Sequence, residues 1–114
     1  MKSLETFECK IYLGLKEGYD GIEHLIEEVE EILQNDCDTN GFAYTLTPTR
    51  FIYKNGNENG CIIGVINYPR FPRDKSWLKA KTYHLTQQLL KIFKQERISI
   101  VCTDDTIMVE SNEN

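Results

Sequence analysis

From Phe7 to Leu15 every second side chain is apolar, and a few residues later the apolar spacing changes to threes and fours. This change of period constrains the fold more than any other feature. A period of two buries one face of a strand, and a period near 3.6 buries one stripe of a helix. Phe7, Cys9, Ile11, Leu13 and Leu15 alternate with Glu8, Lys10, Tyr12 and Gly14, which predicts a half-buried strand. Lys16-Glu17-Gly18-Tyr19 supplies a turn. Ile22, Leu25, Ile26, Val29, Ile32 and Leu33 then recur at helical spacing, and Asp20 and Glu23 stand three apart in the manner of a capping box. Glu23, Glu27, Glu28, Glu30 and Glu31 fall mainly on the other faces, so this helix is amphipathic and ends near Asn35 to Cys37.

The same alternation returns further along. Asp36 to Gly41 is a loop by composition, and Phe42 to Tyr53 reads as a strand in which Pro48, unable to donate to a ladder, marks an edge or a bulge. Asn55 to Gly60 holds Asn and Gly in hairpin-turn combinations. Cys61 to Ile66 is almost wholly apolar, as a strand covered on both faces would be; helices can cover one side, and a second subunit the other. Pro69 and Pro72 interrupt the chain. Asp74 or Ser76 can cap a second helix with Leu78, Thr82, Leu85, Leu89 and Ile92 as its stripe, running to about Glu96. Ile98 to Cys102 and Thr106 to Glu110 read as strands joined by a turn at Asp104-Asp105, and Ser111 to Asn114 as a frayed tail. The order is β-α-β-β-α-β with an extra terminal strand. This predicts a single α+β domain over residues 1–114, a ferredoxin-like antiparallel sheet with two helices on one face. That architecture hosts unrelated functions and assigns none by itself.

Length and composition narrow the class. At 114 residues the chain is one domain's worth, and no apolar run reaches the ~18–20 residues that a membrane-spanning helix needs. Met1 to Glu5 has no apolar signal region, so a cytoplasmic location with reduced thiols is expected. Cys9, Cys37, Cys61 and Cys102 are too widely spaced for a zinc ribbon or a redox CxxC, and three of them sit in apolar runs, where free Cys acts as a small hydrophobe. No metal and no cofactor is called for. The net charge of −5 conceals an asymmetry: residues 1–48 carry 3 basic and 11 acidic side chains, and residues 49–97 carry 10 and 3. Such a split marks either an anion-binding half or two helices that neutralise each other side by side.

The segment from Tyr68 to Trp77 gathers cations and aromatics where a helix begins. Helix N-termini attract anions, so Arg70, Arg73 and Lys75, with Trp77 beside them, are candidate anion- or ligand-binding residues; Phe71 and Trp77 fit a packing role equally well. Arg50 belongs to the same basic region, and His84 stands seven residues after Trp77 on one flank of the helix. His24, beside Glu23, Glu27 and Glu28, reads as a solvated surface histidine. A single-stranded nucleic-acid interface would extend the patch through Arg50, Tyr53, Lys54, Arg70, Phe71, Arg73, Lys75 and Lys79. Lys10-Ile11-Tyr12-Leu13-Gly14-Leu15 resembles the first-strand motif of RNA-recognition modules, which share this element order. The aromatic counterpart required on the third strand is missing from Gly60 to Val65. The one H-x-T unit, His84-Leu85-Thr86, is half of what two-histidine phosphoesterases need. The clustered glutamates form a solvated helix face, and no Ser or Cys has a His in a nucleophile motif. These residues favour a small non-catalytic binding or interaction module. It would act through protein–protein contact, homo-oligomer assembly or capture of a small anionic ligand at the start of the second helix. Nucleic-acid binding and a small enzyme of unspecified reaction are the alternatives.

Overall fold

A computed structural model describes residues 1–18 and 21–111. The elements are β1 (Glu8–Gly14), α1 (Ile26–Asn40), β2 (Thr45–Tyr53), β3 (Gly56–Ile66), α2 (Lys75–Ile92), β4 (Arg97–Cys102) and β5 (Thr106–Glu110). The strands form one antiparallel sheet in the order β2-β3-β1-β4-β5. This is the expected α+β ferredoxin-like arrangement with its additional C-terminal strand. No helix of the described residues is long and apolar enough to cross a membrane.

The alternation in β1 divides the two sides of the sheet. Cys9, Ile11 and Leu13 are fully buried under the helices and face Val65, Ile63 and Cys61 of β3. Val29 and Leu33 of α1 and Leu78, Leu85 and Leu89 of α2 close over them, with Ile98, Ile100 and Val109 from the last two strands. The Thr82 and Thr86 hydroxyls, buried in the same layer, donate to the carbonyls of Leu78 and Thr82 at 2.7 and 2.8 Å, so neither is left unpaired. Burying this apolar face is the main driving force for the fold, at about 25 cal/mol per Å² removed from water. The opposite face has no helix. There Ile62 and Ile66 are half-buried, and Val101 and Met108 are exposed.

Several local expectations change. α1 starts at Ile26 rather than Ile22, because the chain before it pairs back on β1. The Glu17 N–H donates to Ile22 O at 2.9 Å, the His24 N–H to Leu15 O at 2.6 Å, and Lys16 bridges Glu23. Ile22 and Leu25 therefore leave the apolar stripe and are exposed. The cap is made by Glu28, whose carboxylate accepts from the Leu25 N–H at 2.7 Å; Asp20 and Tyr19 lie outside the described residues. α1 continues to Asn40 and ends on Gly41, left-handed at φ 70°. The stretch expected to turn at Asn55–Gly60 is strand from Gly56 onward. The reversal itself is Lys54-Asn55, between paired Tyr53 and Gly56, with Asn55 at φ 62°. Pro48 sits on β2, the sheet's edge strand, as its missing donor requires. In α2 the stripe closes on Phe93 rather than on Ile92, which is exposed. The thiols are also not all free. Cys9 and Cys102 are register partners across β1 and β4, and their sulfurs are joined as a disulfide, leaving Cys37 and Cys61 free.

Candidate functional site

The uncovered face of the sheet carries a cleft of about 310 Å³ where the C-terminal end of β1 meets the tip of the β2–β3 hairpin. Two glycines make its floor. Gly14 and Gly60 are register partners. A Cβ on Gly60 would collide with the Phe51 ring and lie 2.7 Å from Leu13 O, and a Cβ on Gly14 would stand 2.8 Å from Glu58 Oε2. The bare backbone is what lets an aromatic ring and a carboxylate settle there side by side. Phe51 and Glu58 face each other across the β2–β3 ladder, so strand register places both on this side. Lys16, Gly18, Tyr53, Gln95, Glu96 and Arg97 complete the walls. Glu58 Oε2 is buried and has no hydrogen-bond partner among the described residues. A carboxylate oxygen left without a partner at the wall of a cleft is an acceptor open to a bound donor. Aromatic surface, the carboxylates of Glu58 and Glu96 and the flanking cations Lys16 and Arg97 suit an aromatic, zwitterionic small molecule.

Of the residues singled out from sequence, Tyr53 lines this cleft; the others lie elsewhere and do not converge. Arg50, on the helix side of the hairpin, donates to Asn59 Oδ1 at 2.9 Å and to Asn57 Oδ1. Arg70 is exposed. The Arg73 guanidinium stacks on Trp77 at 4.6 Å from the ring centre, beside a shallow hollow that also includes Asp74. Lys75 pairs with Asp104 at 2.5 Å, and Lys79 with Asp104 and Asp105. Trp77 packs on Phe42, which also meets Tyr44, Tyr68 and Phe71, so these rings act as packing. Tyr53 and Lys54 are at the hairpin tip, while Arg70 to Lys75 lie beyond the other end of β3. Eleven residues of strand, roughly 35 Å at 3.3 Å each, separate them, so the basic and aromatic side chains of 50–79 do not form one track.

His84 is exposed, beside a polar joint centred on Asp36. Asp36 accepts from the Tyr44 hydroxyl at 2.5 Å and from Asn40 at 2.7 Å, and pairs with Lys81 at 3.0 Å. Burial pushes the Asp36 pKa upward, but these donors outweigh it and hold the carboxyl below its ordinary range. His24 is not a solvated histidine. Its ring is held between Glu17 at 2.6 Å and Glu28 at 3.2 Å, edge-on to Phe93. Cys61 is inert, its thiol pushed up to about 12 by burial.

No family model matches the chain, and no curated protein matches it. Two solved structures share its fold. One is a phage SAM lyase in complex with S-methyl-5'-thioadenosine, with a TM-score of 0.83 at 20% identity, covering 100% of this chain and 96% of the other. The second is a phage SAM lyase in its apo state, with a TM-score of 0.80 at 20% identity, covering 95% and 91%. These likenesses correct the reading of a non-catalytic binding module, since both structures that share the fold along nearly its full length are enzymes. Sequence reasoning missed Glu58 and Gln95. Glu58 sits in an Asn- and Gly-rich stretch that reads as a turn, and neither residue belongs to a motif. The one available signal was Gly14 and Gly60, two glycines inside strands.

Proposed function

We propose that this chain is a lyase of S-adenosylmethionine, with the Glu58 cleft as its active site. The observation that carries the proposal is the orphaned carboxylate oxygen of Glu58, set over bare backbone beside Phe51 and Tyr53. Likeness along the whole chain to a lyase that holds S-methyl-5'-thioadenosine supports it. The chemistry follows from substrate and product. S-methyl-5'-thioadenosine is what remains when the bond between the sulfonium sulfur and Cγ of the aminobutyryl arm breaks. The arm's own carboxylate attacks Cγ, and the carbon–sulfur electron pair leaves on sulfur. The products are the neutral thioether and homoserine lactone. No proton is exchanged and no base is required. Two opposite charges vanish in the transition state, so a cleft that shields them from water favours the transition state over the substrate. Phe51 and Tyr53 supply surface for the adenine ring, Lys16 or Arg97 steadies the carboxylate before it turns on Cγ, and Glu58 takes a donor group of the substrate.

The test is incubation of the purified chain with S-adenosylmethionine and identification of products by mass spectrometry. S-methyl-5'-thioadenosine and homoserine lactone are expected. Glu58→Gln should lower kcat/KM by about 100-fold, the order of one preorganised polar contact, while the protein remains folded. Absence of turnover in the wild type, or full activity in Glu58→Gln, overturns the proposal.

A further inference from the structure

We infer that Gln95 is a specificity-determining residue of the Glu58 cleft: its side-chain oxygen and Glu58 Oε2 form a pair of acceptors over Gly14 that recognises a group carrying several N–H or O–H hydrogens. The nature of that ligand rests on the lyase reading; the acceptor pair rests on geometry alone.

α2 ends at Ile92, and Lys94 then adopts a left-handed φ of 50°, which turns Gln95 back toward β1. The Gln95 N–H donates to Leu90 O at 3.0 Å, fixing the turn. The side-chain nitrogen donates to Lys16 O at 2.9 Å and to Phe93 O at 3.0 Å. Backbone carbonyls only accept, so the NH2 end must lie toward them, and Oε1 is fixed as the other end of the amide. Both amide hydrogens are spent on the scaffold. Gln95 therefore offers the cleft an acceptor and nothing else.

Oε1 stands 3.1 Å, and Glu58 Oε2 2.8 Å, from the point where a Cβ on Gly14 would be. Two acceptors thus gather over one backbone atom, and the carboxylate oxygen has no donor among the described residues. A primary ammonium or a vicinal diol satisfies both at once. S-adenosylmethionine carries one of each, the α-ammonium and the ribose hydroxyls. A ligand lacking the donor leaves two acceptors unpaired, and that penalty discriminates more sharply than the loss of one contact. Gly14 belongs to the same device, because any side chain there displaces both oxygens.

The experiment measures dissociation constants for S-adenosylhomocysteine, which keeps the ammonium, the diol and the adenine amine but has no sulfonium leaving group, and for S-methyl-5'-thioadenosine, which lacks the ammonium. Gln95→Met should weaken S-adenosylhomocysteine at least tenfold with the fold intact. An equal loss for S-methyl-5'-thioadenosine assigns the donor to the nucleoside half, the ribose diol or the adenine amine, and no loss assigns it to the ammonium; either supports the inference. Gly14→Ala should reproduce the Gln95→Met pattern. Unchanged affinity for both ligands in Gln95→Met overturns it. So does recovery in Gln95→Lys, which restores a donor to the two carbonyls but offers no acceptor, because only a scaffold role would be rescued. A wild-type chain that binds neither ligand sinks the lyase reading instead. Slow exchange of the Gln95 side-chain amide protons would still show the acceptor fixed, and fast exchange would overturn that too.

Discussion

At the scale of single residues, the most informative titration belongs to His24. Partial burial pulls its pKa down, but hydrogen bonds that its ring donates to Glu28 and Glu17, and the charges of those carboxylates, outweigh that, and the net shift is upward from 6.5. Glu28 moves the other way, below 4.5, because the Leu25 N–H and His24 both favour its charged form. The signs set a window. A raised histidine contributes stability that is complete below about pH 6.5 and fades as pH climbs through its folded value. A lowered carboxylate contributes stability that is complete above about pH 4.5 and fades as pH falls through its folded value. The clamp is therefore strongest between these limits, near pH 5 to 6. His24→Ala should cost most there: a melting temperature lower by about 4 °C, the shift that ~1 kcal/mol makes in a domain of this size. By pH 9 the deficit should shrink toward the packing lost against Phe93. A deficit that does not vary with pH would show that the charged clamp contributes nothing.

At the scale of elements, the two ends of the molecule are held differently. Asp36 joins α1, the entry to β2 and α2 through Tyr44, Asn40 and Lys81. Asp36→Ala leaves the half-buried Tyr44 hydroxyl and the Lys81 ammonium without their shared partner. It should cost about 2 kcal/mol, the usual penalty for stranding such groups, with Tyr44→Phe costing less. Denaturant titration of the three proteins gives the order. At the hairpin, Asn55 is one of only two non-glycine residues with positive φ among those described. Asn55→Gly should be neutral or mildly stabilising, and Asn55→Val should lose about 1–2 kcal/mol, because a β-branched side chain fits that backbone poorly. The same elements show what was legible in the sequence. Period-two spacing located β1, β2 and β4 and period-3.6 spacing both helices, because burial of one face imposes those periods locally, while an apolar run marked the second half of β3. Boundaries failed where distant backbone intervened. Ile22 has helical spacing to Ile26, yet the segment that leaves β1 captures the chain, Glu17 donating to Ile22 O and His24 to Leu15 O. Asn57 and Asn59 look like turn residues, yet their side chains are held by Arg50 and, for Asn59, by Glu23 across the fold. Glu58 was invisible for the same reason: only the pairing of β1, β2 and β3 puts it over Gly14.

At the scale of the whole molecule, the charge asymmetry resolves mostly along the chain rather than between the two helices. Among the described residues α1 and α2 share one ion pair, Asp36 with Lys81, whereas Lys75 and Lys79 of α2 reach forward to Asp104 and Asp105 between β4 and β5. The last hairpin is thus tied to the start of α2 from outside, while Cys9 and Cys102 tie it to β1 from within. The disulfide spans 93 residues of sequence, so it restricts nearly the whole unfolded chain. Chain-entropy reasoning puts the stabilisation for a loop of that length at about 4.7 kcal/mol, with measured values spread below it. In a domain of this size that corresponds to a fall of roughly 15 °C in melting temperature on reduction. Thiol titration of the unfolded, unreduced protein should find two free groups, Cys37 and Cys61, and four after reduction. The double variant Cys9→Ala/Cys102→Ala should melt near the reduced protein and be indifferent to reductant, because β1 and β4 remain paired by their backbones. Four titratable thiols before reduction, or a melting temperature that reductant does not move, would mean that the sheet holds Cys9 and Cys102 together without the covalent link.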